Sequence, residues 1–131
     1  EAVRALGCTT APLLDVHAYV HAAPGLRSTL LRSCCTFRAT DPPQPPNEDG
    51  EVPGILETAR RVARWCVLNL EACKELCEEE LVQAQGVFAL NAHNLGDDPG
   101  AAVYLVGSKI SHCCVQPNTV YHWHPETQMG E

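Results

Sequence analysis

The sequence predicts a small, disulfide-rich α+β domain. One principal helix, over about residues 54–83, is expected to pack on short antiparallel strands; an all-α disulfide-stapled bundle is the alternative. Three observations carry this reading. First, the 131 residues include eight cysteines, Cys8, Cys34, Cys35, Cys66, Cys73, Cys77, Cys113 and Cys114. The count is even and no C-x2-C spacing occurs, which points to four disulfides rather than zinc or a redox dithiol. Second, Ile55, Ala59, Val62, Cys66, Leu70, Cys73, Cys77 and Leu81 recur at steps of three and four and form one apolar helical face. Third, runs of apolar and aromatic residues bounded by turn formers lie on both sides of that helix.

Thr10 and Pro12 suit the start of a first element, as cap and first-turn proline. Residues 13–21 fit either a short helix or a strand with Val16, Ala18 and Val20 on one face, and Pro24-Gly25 is expected to end it. Residues 28–40 look strand-like. Residues 41–50 are a proline-rich connector without core residues. Three cysteines precede it and five follow, so four bridges would require at least one across it. That argues for one domain over 1–131.

The principal helix carries a charge conflict. Arg60, Arg61 and Arg64 occupy its first half and Glu78, Glu79 and Glu80 its end, against the helix dipole. A break near Asn69, with Asn69 capping a second helix from Leu70, would relieve it. On an unbroken helix Cys66, Cys73 and Cys77 would share a face and have to pair elsewhere. Gly86 is expected to stop the helix. Residues 87–90 and 102–106 then read as strands of a hairpin around the turn formers at 94–100. The competitor is a helix over 99–114.

Residues 66–108 resemble a PAN/apple module. The residues that match are Cys73-Lys74-Glu75-Leu76-Cys77, Val87-Phe88-Ala89 and Tyr104-Leu105-Val106-Gly107-Ser108. The resemblance implies a helix on an antiparallel sheet, used for extracellular protein or carbohydrate binding. The family's cysteines before the aromatic strand and before the Tyr-Leu pair are replaced here by Gln85-Gly86 and Ala102-Val103.

Composition narrows the function classes. A net charge of −7 disfavours nucleic-acid binding, and no apolar run reaches the length of a membrane span. The disulfide count and a chain opening on Glu1-Ala2-Val3 are read as a mature secreted product. No Asn-x-Ser/Thr sequon occurs. His112, His122 and His124 are the histidines that could ligate a metal, with His17 and His21 a further i,i+4 pair, but polar surface is the plainer reading. Ser108 and Ser111 beside His112 lack a Gly-x-Ser-x-Gly context, and no phosphate loop is present. No enzyme and no cofactor are expected.

The reading is a non-catalytic secreted structural or adhesion protein that contacts protein, including copies of itself. Arg60, Arg61, Arg64, Trp65, Tyr121 and Trp123 are its interaction candidates. A soluble carrier of a small apolar ligand, or a toxin-like or cytokine-like effector, is the alternative.

Overall fold

The computed structural model describes residues 2–37, 54–95, 98–103, 123–124, 126 and 129–130. The described residues are mostly helical, and the α+β expectation is corrected. In order, the helices are α1 (Ala2–Leu6), α2 (Ala11–His21), α3 (Pro24–Ser33), α4 (Ile55–Asn69) and α5 (Glu78–Asn91), with a 3₁₀ turn at Glu71–Cys73. The described strands form two isolated antiparallel pairs: β1 (Ala92–Leu95) with β2 (Asp98–Val103), and β3 (Trp123–His124) with β4 (Met129–Gly130). The core is helix on helix, centred where α4 and α5 pack together and α2 covers both.

Each departure has a local cause. Pro24 does not end a strand; it occupies the first turn of α3, where its missing N–H costs nothing. Residues 28–33 are therefore helical, with Leu30 buried. In α2, Thr10 sits at the cap position and its carbonyl accepts from the N–H groups of Leu13 and Leu14 at 3.1 Å, but its side chain makes no capping bond. Gly7, at φ 60°, lets α1 close with a bond from its N–H to Val3 O before the chain turns into α2.

Of the two alternatives for the principal helix, the structure has the broken one, but the second helix does not start at Leu70. α4 stops at Asn69, whose Nδ2 donates to Trp65 O, and α5 begins only at Glu78. The break dissolves the charge conflict. Glu78, Glu79 and Glu80 become the first turn of α5, where carboxylates favour the positive dipole end. Cys77 is the N-cap, its Sγ accepting from Glu80 N–H at 3.4 Å. Gly86, expected as a stop, lies inside α5, and residues 87–90 continue that helix rather than form a strand. The hairpin exists, but its first arm starts at Ala92, with Ala92 opposite Val103. Residues 98–103 are strand, so a helix from 99 is excluded there; residues 104–114 lie outside the described residues.

No disulfide joins any of the six described cysteines, so the disulfide-rich framework is corrected as well. Cys66 is on α4, Cys73 closes the 3₁₀ turn and Cys77 caps α5. They do not share one helical face. The helix break instead sets the Cys66 and Cys73 thiols side by side, with Cys8 close by. Burial foremost, then the neighbouring Cys73 thiol, pushes Cys66 up to about 11; burial also raises Cys73. Both are therefore protonated thiols at neutral pH and poor nucleophiles. In native protein at pH 7, iodoacetamide is expected to label the exposed Cys35 and Cys77 well before Cys66 and Cys73. Peptide mapping over a time course checks the order. Cys113 and Cys114 lie outside the described residues.

Candidate functional site

Among the described residues lies a cavity of about 490 Å³ with largely apolar walls. Leu6 and Cys8 from the α1–α2 junction and Pro12 of α2 form one side. Ile55 and Val62 of α4 form the other, and Phe37 closes the end. The floor is α5, through Gln85, and Ala89 stands exposed at its margin. Gly7, at φ 60°, turns the chain between α1 and α2 along this wall. Arg61 fixes the rim by donating from Nη2 to Leu6 O at 2.7 Å.

The polar residues in this wall are Thr9, Asp15, Thr58, Arg61 and Gln85. Gln85 is 3% exposed. Its Nε2 donates to Ala59 O at 2.9 Å and Leu81 O at 3.1 Å, while its Oε1 has no hydrogen-bond partner. Turning the amide over would set Oε1 against two carbonyls, so the orientation is fixed by its neighbours. Asp15, half-buried on α2, has its carboxyl pushed up to about 6 by burial.

The sign of the Asp15 effect follows from linkage. The folded chain keeps a proton that the unfolded chain has already released, so this contribution is complete below about 3.8 and is lost as pH rises through about 6. Asp15→Asn is therefore expected to stabilise the protein at pH 7 by about 1 kcal/mol, discounted for the solvent that screens a half-exposed carboxyl. Below pH 4 the gain should vanish. Urea unfolding at the two pH values checks this; an equal gain at both would remove the burial explanation.

The residues expected to mediate contacts are not gathered into one site. Arg61 is committed to Leu6 O, and Arg64 pairs with Glu78 at 3.4 Å, so part of the basic cluster is answered within the chain. Arg60 and Trp65 are half-buried on α4, Trp65 against the core. Tyr121, His112 and His122 lie outside the described residues, as do the side chains of Trp123 and His124. Among the described residues no group of His, Cys, Asp or Glu side chains is arranged to hold a metal ion. No described helix is long and apolar enough to cross a membrane.

Gln85 and Asp15 escape the sequence reading. The available signal is Gln85 at i+4 from Leu81, a polar residue on the apolar row of α5. Reading Gly86 as a helix stop hides it. Comparison with protein-family models, with curated proteins and with solved structures returns no match. Within the PAN/apple-like stretch, 87–89 is helical, and 104–108 lies outside the described residues.

Proposed function

We propose that this chain is a non-catalytic binding protein that holds a small apolar molecule in the cavity between α1, α2, α4 and α5. The observation that carries the reading is the cavity: about 490 Å³, apolar, with few polar groups. Small-molecule sites fall at roughly 300–1,000 Å³ with this kind of lining. A molecule bound there would add its binding free energy to the stability of the fold.

The test uses the exposed margin. Ala89 lines the cavity without being buried, so Ala89→Trp places an indole at the mouth while leaving the core intact. Binding of decanol, followed by isothermal calorimetry, is expected to weaken at least about tenfold, the loss of roughly 1.4 kcal/mol. Unchanged circular dichroism would show that the fold is kept. Wild-type protein that takes up no apolar molecule would overturn the reading.

A second reading, contact with other protein including copies of this chain, is favoured by Leu68. It is 72% exposed, one turn from Trp65 on α4. Sedimentation of wild type against Leu68→Glu tests it: self-association lost in the variant supports it, and a wild-type monomer at high concentration removes the self-contact.

A further inference from the structure

We infer that the cavity takes an amphiphile whose head is a protonated amine, with the Asp15 carboxylate as its counter-ion. This rests on the ligand-binding reading above and goes further by naming the head group.

Helix geometry puts Asp15 on the cavity wall. Ala11, Pro12 and Asp15 of α2 all line the space, and steps of three and four residues share one helical face. Helical side chains lean over the turn that precedes them, which for Asp15 is the turn of Ala11 and Pro12. Asp15 is half-buried, yet it accepts no hydrogen bond and joins no ion pair among the described residues. Both of its oxygens keep accessible surface.

A carboxylate drawn out of water without a counter-charge is unfavourable. Burial holds the Asp15 carboxyl up at about 6, and no neighbouring charge offsets it. A cation brought to it favours the charged form again. An ammonium head suits the position, because it only donates and an ionised carboxylate only accepts. Charge-assisted bonds of this kind are the stronger class of hydrogen bond. The alkyl tail then lies against the apolar remainder of the wall, such as Leu6, Phe37 and Val62.

Arg61 is the opposing charge on the same wall. It is exposed, and its Nη2 is engaged by Leu6 O. Solvent screens an exposed guanidinium, so an anionic head would gain little there. The half-buried, unpaired carboxylate gains more from a partner. That asymmetry favours an alkylamine over a fatty carboxylate.

The experiment titrates three probes of one chain length, decylamine, decanol and decanoate, into the intact protein at pH 8, read by displacement of an apolar fluorophore. At that pH Asp15 is ionised, the amine is protonated and decanoate is an anion. Wild type is expected to bind decylamine at least about tenfold more tightly than decanol, and decanoate most weakly. In Asp15→Asn, which keeps the shape and removes the charge, decylamine should fall to the affinity of decanol. Unchanged decanol binding would show that the variant keeps its cavity. Equal affinities of decylamine and decanol in wild type would overturn the amine assignment while leaving the cavity reading intact, and would mean that water answers Asp15. Decanoate as the tightest probe would overturn it as well and put the head group at Arg61. An amine preference that survives in Asp15→Asn would do the same, because the net charge of −7 would then be its source. If none of the three probes binds wild type, the cavity reading fails and this inference falls with it.

Discussion

Gly86→Val is expected to destabilise the protein by about 3 kcal/mol, with a fall in Tm of roughly 10 °C. A Cβ at Gly86 would lie 2.5 Å from the backbone N of Phe37 and 3.0 Å from its ring. The nearest atom is backbone, so no side-chain rotation relieves it. The 34–37 segment is also pinned: Thr36 Oγ1 donates to Gln83 O and Asn91 clamps Cys35. Gly86→Ala separates this cause from helix propensity. Propensity alone predicts a gain of about 1 kcal/mol from alanine in a helix interior. The contact predicts a net loss of about 2 kcal/mol. Urea denaturation decides by sign: an alanine variant as stable as wild type would show that the segment lifts off α5 freely. Phe37 closes one end of the cavity, so the same substitution should also weaken uptake of apolar probes.

The contact at Gly86 also marks what the chain reveals locally and what it does not. The apolar row of α4 is legible. Ala59, Val62 and Cys66 are buried as the row predicts, but Ile55 is 58% exposed, with Leu56 and Ala63 buried instead; the opposed charges point to the interruption near Asn69. The apolar row itself hides that interruption. Cys73 is buried beside Cys66 and Leu81 is buried on α5, so the pattern continues although the helix does not. Residues 87–90 are a short continuous apolar run, which periodicity does not separate into helix or strand. So short a run favours a strand by length, and Gly86 before it suggests a stop, whereas its small size serves the approach of Phe37. The even cysteine count without C-x2-C spacing suggests bridges because count and spacing are the only cysteine signals in a sequence. Pairing geometry is a property of the fold. The cavity is the least legible part. It joins Leu6, Phe37, Val62 and Gln85, which come from four separated stretches, and no local pattern announces their meeting.

Asn91→Ala is expected to cost about 2 kcal/mol, because one side chain makes bonds that no neighbour can replace. Asn91 is 5% exposed, at the end of α5. Its Oδ1 accepts from Cys35 N–H at 3.2 Å, and its Nδ2 donates to Cys35 O and Val87 O, each at 2.7 Å. The pair of bonds to Cys35 imitates a strand ladder, but joins a helix to an irregular segment 56 positions away. Alanine removes the clamp and opens a small void beside it. Cys35 itself is exposed, so water recovers part of the loss and keeps the cost below that of a core truncation such as Leu81→Ala, for which about 3 kcal/mol is usual. The distinguishing measurement is local. Hydrogen exchange of the Cys35 amide should rise in Asn91→Ala by more than the global loss of stability explains, whereas the amides of α4 should rise only with the global change. Uniform acceleration across both would mean that Asn91 supports the core as a whole and does not hold the 34–37 segment in particular.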